Sequence, residues 1–320
     1  MARRPGFQKL FSTGILERRA RAAEASLSAC RLCPRTCGAD RASDEAGACG
    51  ATGELRIYRH MPHHGEEPPI SGTRGSGTVF FSNCTMSCVY CQNERMSRRG
   101  EGSARSAEEL ARMLEELADA GCHNWNFVSP TQYLPWILRA LVELAGRDVA
   151  LPVVWNTSGY ECSSTLELLE GIVDVYLSDI RYGVPGPDAR LSGVSDYVPV
   201  SREALIEMRE QVGPLVLDDE GTALRGLVVR HLVIPNGLSG TREALRFVAE
   251  RLGRDTAVSL MSQYYPVGEA VGDEEVGRRI TRGEWRDAVD TLESLGLDNG
   301  WVQEFHGELY PAAGSRIEPD

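Results

Sequence analysis

The chain reads as an α/β protein, a partial (β/α)6 barrel of parallel strands preceded by a small cysteine-rich metal-binding extension. Three observations predict this. Six short apolar runs alternate with stretches of helical period, the pattern of parallel strands covered on both faces. A length of 320 residues suits one domain of about 200–250 residues with an appendage. Four of the nine cysteines fall within residues 30–49, ahead of the first regular unit. The expected division is an N-terminal helix and cysteine-rich extension over 1–75, a core over 76–265, and a C-terminal helix and tail packing on the core over 266–320.

Residues 13–29 predict a helix, with Thr13 as its cap and Ile15, Leu16, Ala20, Ala23 and Leu27 as its apolar stripe. A loop carrying Cys30, Cys33, Cys37 and Cys49 follows. Residues 53–60 predict a short strand, and the Gly/Pro-rich stretch 61–78 an irregular junction. The six apolar runs are 78–82, 124–129, 152–156, 173–178, 227–234 and 257–262. Helical stretches cover 106–120, 132–145, 163–170, 201–212 and 241–252, and 283–295 follows the last strand. Ser106 followed by Glu109 predicts a capping box. Right-handed crossovers allow six such units to roll into a partial barrel of the TIM type. Residues 183–200 predict a long loop over an active site.

Composition narrows the function. Hydrophobic residues make up 42% and charged residues 25%, an ordinary globular balance. A net charge of −12 argues against broad nucleic-acid binding, which needs clustered cations. Residues 1–41 nevertheless carry nine basic side chains against Glu17, Glu24 and Asp40. They predict either a solvated helix or docking onto an acidic surface, a partner's or the chain's own. No apolar run is long enough for a membrane span, and the start lacks the pattern of a secretory leader, so a cytoplasmic location is expected. In that reducing setting, thiols in tight groups point to metal rather than disulfides.

The sharpest pattern is Cys84-Thr-Met-Ser-Cys88-Val-Tyr-Cys91, just after the first apolar run, where parallel β/α folds place their chemistry. Three thiolates cannot complete a tetrahedral zinc site without a fourth ligand, such as Cys122 or a histidine. They can hold a cubane iron–sulfur cluster by three irons and leave the fourth open to substrate. The N-terminal quartet has four thiols and can close a site, around zinc or a second iron–sulfur cluster. Arg230 and His231 are neighbours on one strand, so at most one faces the barrel interior. His231 and His123 are assigned to structure, and Tyr264 and Tyr265 to pocket walls. No role follows for Glu66 and Glu67.

C-x3-C-x-aromatic-C after the first strand resembles the signature of radical S-adenosylmethionine (SAM) enzymes. GSGTVFFSNCTMSCVYCQN is similar to the pyruvate formate-lyase-activating-enzyme branch. From about residue 30 to 300 the chain resembles the PflX-like iron–sulfur proteins of that branch, through CRLCPRTCGADR, GEEPPISG, the triplet, NFVSPTQYLPWIL, NTSGYE, EGIVDVYLSDIRY, RHLVIP and MSQYYP in order. The resemblance implies that Cys84, Cys88 and Cys91 bind a [4Fe–4S] cluster whose open iron is chelated by the amine and carboxylate of SAM. One electron then cleaves SAM, and the 5′-deoxyadenosyl radical abstracts a hydrogen. It further implies an electron donor such as flavodoxin or ferredoxin. A glycyl radical would be installed on a protein partner or, alternatively, a small molecule or peptide modified directly. A non-catalytic iron–sulfur or zinc module is a third reading.

For SAM the resemblance nominates further residues. Tyr90 would pack against adenine, unless it is a core aromatic. Ser129 and Thr131 stand where relatives carry Gly-Gly-Glu, so hydroxyls and carbonyls replace a carboxylate. Asn156 and Ser158 occupy the third strand's turn. Asp179 and Arg181 resemble the family's Asp-x-Lys, suited to the zwitterionic methionyl end. Ordinary turn and capping work is the alternative for each.

Overall fold

The computed structural model describes residues 5–305. Among the described residues ten strands form: β1 (Leu55–His63), β2 (Ser76–Phe81), β3 (Ser103–Arg105), β4 (Trp125–Val128), β5 (Val153–Thr157), β6 (Val175–Asp179), β7 (Val216–Leu217), β8 (Ala223–Leu232), β9 (Ala257–Met261) and β10 (Gly300–Val302). Their order is β10-β9-β8-β6-β5-β4-β2-β1-β3, with β7 paired to β8 off that path. The six expected runs are β2, β4, β5, β6, β8 and β9, all parallel. The sheet as a whole is mixed. β1 runs antiparallel to β2, β3 antiparallel to β1, and β10 adds a parallel edge strand that the sequence reading lacked. Because β10 and β3 end the path unpaired with each other, the barrel is open.

Two apolar layers follow from strand alternation. Phe127, Trp155, Tyr176, Val229 and Leu260 face the helices. Val154, Val175, Leu177, Val228 and Ala257, of opposite parity, meet around Ile70 on the concave side. Ile70 belongs to a four-residue helix, Pro68–Ser71, inside the stretch read as an irregular junction. Two prolines can begin that helix because its first N–H groups would lack partners anyway. Gly72, at φ 51°, ends it in a backbone that side chains rarely adopt. The helix plugs the barrel floor.

Several element expectations are corrected. The helix expected at 13–29 is Ile15–Ala25 followed by a 3-10 turn, Ser26–Ala29, and an unexpected helix, Gly6–Ser12, precedes it. Thr13 closes the first helix rather than capping the second, and Gly14 at φ 70° breaks them apart. The strand expected at 53–60 runs on to His63, because β2 pairs with it that far. The expected loop 183–200 contains the helix Pro187–Ser192 and the start of Tyr197–Val212. The capping box at Ser106 and Glu109 is present. The basic N-terminal segment lies on the chain's own body: Leu16, Ala20 and Ala23 are buried, Arg19 pairs with Glu170, and Glu17 and Glu24 pair with Arg139. Arg3, Arg4 and the tail from 306 lie outside the described residues. Among the described residues no helix is long and apolar enough to cross a membrane.

Candidate active site

Asn83, at φ 67°, turns the chain sharply after β2. Tyr133 donates its hydroxyl to Asn83 Oδ1 (2.9 Å), and Gln132 Nε2 donates to the Ser82 and Asn83 carbonyls (3.1 Å each). The three cysteines therefore emerge on a pinned loop at the C-terminal end of β2. Met86 N–H donates to Cys84 Sγ (3.5 Å). Cys88 Sγ lies 3.0 Å from Ser192 Oγ and Cys91 Sγ 3.1 Å from Ser97 Oγ. Burial pushes the Cys84 thiol up to about 12 and the Cys88 thiol up as well, and Arg181 opposes both. Ser87 and Val89 N–H groups donate to the Ser192 and Leu191 carbonyls (3.0 and 2.9 Å), so the 183–200 segment covers this loop.

The strand ends bring some expected residues together. Asp179 Oδ1 accepts from Arg230 Nε (2.9 Å), and Asp179 Oδ2 pairs with Arg181 (2.7 Å). Arg230 also donates to Asn156 Oδ1 (2.5 Å) and pairs with Glu66 (3.4 Å). Arg181 Nε, buried, has no partner among the described residues. Other expected residues are engaged elsewhere. Thr131 donates its hydroxyl to buried Glu161 (2.6 Å), which also accepts from Thr157 (2.6 Å) and Trp155 (3.3 Å). The Ser129 carbonyl accepts from Gln132 and the Ser158 carbonyl from Tyr197. Tyr90 is buried, its hydroxyl 2.7 Å from that of Tyr182 and its ring edge-on to Tyr264 at 5.7 Å.

A cavity of about 960 Å³ occupies the concave face. Phe80, Val128, Asn156, Arg230 and Ser259 line it from β2, β4, β5, β8 and β9. Gln92 and Asn93, immediately after Cys91, also line it, so the cavity reaches the cysteine loop. Glu66 and Glu67, which lead into the floor helix, enter it from below. The sequence reading missed Arg230 as a site residue. Its signal was parity with Val228, since alternate residues of β8 face inward. His231 faces out, its Nδ1 2.7 Å from the Ile180 carbonyl and its Nε2 3.0 Å from Thr241 Oγ1. Burial holds it down to about 4, hence neutral.

At the N-terminus, Arg41 is fully buried. Its Nη1 donates to the Gln132 carbonyl (2.7 Å) and lies 3.8 Å from Cys30 Sγ, while its Nη2 has no partner among the described residues. Burial pushes the Cys33 thiol up to about 12 and raises Cys49, with Cys30 adding to both. Arg35 donates to the Thr85 carbonyl (2.5 Å), tying this segment to the triplet loop.

The radical SAM superfamily profile matches residues 78–212, spanning the triplet and β2 to β6. An uncharacterized protein of Methanocaldococcus jannaschii is 31% identical over 279 residues, covering 84% of this chain and 75% of that protein. The chain belongs to the radical SAM superfamily. It is therefore a radical SAM enzyme, and the family implies a [4Fe–4S] cluster and SAM. The crystal structure of methylornithine synthase (PylB) aligns at a TM-score of 0.45 and 15% identity, over 68% of this chain and 60% of that one.

The donor set suits the cluster this superfamily uses: three thiols on one loop, partly buried, with Arg181 as a compensating cation. Among the described residues no three Cys, His, Asp or Glu side chains converge on a common metal position, in the triplet or the quartet. Cys88 and Cys91 are turned toward serine hydroxyls instead.

Proposed function

We propose that this radical SAM enzyme holds its [4Fe–4S] cluster on Cys84, Cys88 and Cys91 and its substrate in the concave cavity. Asn156, Asp179 and Arg181 receive the methionyl end of SAM between them. The observation that carries this reading is the unpartnered Arg181 Nε beside Asp179, on a guanidinium that acts electrostatically on Cys88. It is a buried donor awaiting an acceptor, and the SAM carboxylate is one. The bound cluster and SAM supply one-electron cleavage and a carbon radical able to abstract hydrogen. The chain's own residues orient and shield. Asp179 is fixed between two guanidiniums, and Ile70 closes the floor against water.

Direct modification of a small molecule or peptide is the substrate class we favour over installing a glycyl radical. A cavity of about 960 Å³ with buried charges is built to recognise a functional group, whereas glycine offers only backbone. A flavodoxin or ferredoxin suits the electron supply. The N-terminal quartet is proposed to hold zinc or a second iron–sulfur cluster. Its support is Arg41, a buried cation beside Cys30 with an unused Nη2, which metal-bound thiolates would neutralise.

The test is anaerobic reconstitution with iron and sulfide, reduction, and assay for 5′-deoxyadenosine. Alanine at Cys84, Cys88 or Cys91 should abolish its formation and leave a folded barrel by circular dichroism. Wild-type rates in all three variants would refute the assignment. A glycyl-radical signal on a partner protein would return the activase reading.

A further inference from the structure

The floor of the cavity carries an excess of acceptors. Glu66 Oε1 accepts from Asn126 Nδ2 (3.0 Å) and Asn156 Nδ2 (3.2 Å), and Oε2 pairs with Arg230. That carboxylate is fixed and fully used. Glu67 is different. It lines the same cavity at 9% exposure, beside Ser259, yet its Oε2 has no partner among the described residues. Asn126 Oδ1, fully buried behind Glu66, is also without a donor. Its amide cannot flip to help, because Nδ2 is committed to Glu66.

Charge points the same way. Arg230 is shared by Glu66 and Asp179, and Arg181 is paired with Asp179. Arg230 also attracts Glu67, so three carboxylates face two guanidiniums and one negative charge is in excess. The other cations on the cavity wall, Arg59 and Arg95, are exposed at its solvent end, and Arg95 is taken by Glu101. Arg230 is level with Asp179 and Ser259, and Glu67 leads directly into the floor helix below them.

A buried acceptor without a donor is costly, and an excess of buried negative charge more so. The ligand that resolves both carries a positive charge and several N–H groups. We propose that Glu67, backed by Glu66, anchors an ammonium group on the substrate, which makes the substrate an amine-bearing small molecule or a lysine-like side chain. The inference rests on the cavity being the substrate site of a radical SAM enzyme.

The full chain, reconstituted anaerobically and saturated with SAM, is titrated with butylamine, butane-1,4-diamine and butyrate. Binding is followed by tryptophan fluorescence, since Trp301 lines the cavity, and by melting temperature. Both amines should bind saturably and butyrate should not, a comparison that needs no variant. In Glu67→Gln the amines should bind at least tenfold more weakly, while SAM affinity stays within twofold of wild type. Butyrate binding as well as the amines, absence of saturable amine binding, or equal amine affinity in wild type and Glu67→Gln would overturn the proposal while leaving the SAM site standing. Failure of the wild type to bind SAM would overturn the reading of the site itself, and this inference with it.

Discussion

Asp179 sits between Arg181 and Arg230, so its removal acts twice. Asp179→Asn should weaken SAM binding by about 1–3 kcal/mol in calorimetry, the loss of a charge-assisted contact. It should also lower unfolding stability by about 3 kcal/mol, because two largely buried cations lose the carboxylate they share. Unchanged SAM affinity would leave Asp179 a purely structural residue. Thr131 offers the contrast. Its hydroxyl is spent on Glu161, so Thr131→Val should cost about 1–3 kcal/mol of stability and leave SAM affinity intact. Polar residues at strand ends were legible as candidates in the sequence. Which of them face SAM was not, since Thr131 and Asn156 look alike until their partners are known.

The helix Pro68–Ser71 has too few residues to leave a periodic signal, which is why its segment read as an irregular junction. Its consequence is nonetheless large. Ile70 is fully buried against Val154, Val175, Leu177 and Val228, so Ile70→Ala should cost about 2–5 kcal/mol in denaturant unfolding. A loss below about 1 kcal/mol would show that the floor is not sealed by this side chain. The helix Arg282–Ser294 carries a second capping box, Thr281 with Glu284, that the sequence reading passed over. Arg278 and the Thr281 and Asn236 N–H groups hold the Glu284 carboxyl down to about 2. A depressed carboxyl stabilises the fold above its ordinary value near 4.5 and loses that contribution as pH falls toward 2. Glu284→Gln should therefore cost about 1 kcal/mol at pH 7, allowing for solvent screening, and nothing near pH 2. A pH-independent difference would contradict this.

At the scale of the molecule, the N-terminal segment is bound to the catalytic end by Arg35 on Thr85 and Arg41 on Gln132. The two cysteine groups should nevertheless separate by function. A reconstituted variant lacking Cys30 and Cys33 should keep a SAM-dependent change in its reduced-state EPR spectrum but melt at lower temperature. A variant lacking Cys84 and Cys88 should lose the SAM response and keep its N-terminal metal. About eight irons per wild-type chain would identify the quartet as a second cubane, and about four irons with one zinc as a structural site. A SAM response that survives loss of the triplet would reverse the assignment.

The sequence by itself determined six parallel strands, because continuous apolar runs between amphipathic helices are strands covered on both faces. It also determined the cysteine triplet at the end of the first of them, since short spacing survives any folding of the chain. Only the tertiary structure decided the rest of the site. Glu66 and Glu67 lie 163 and more residues from Arg230 and had no local pattern to mark them; a floor helix and the curvature of the sheet bring them to one cavity. Arg230 and His231 are adjacent in sequence with opposite fates, one paired to three polar side chains inside the barrel and the other neutral against the helices. Charges choose partners by distance in space, and that distance exists only once the sheet has curved.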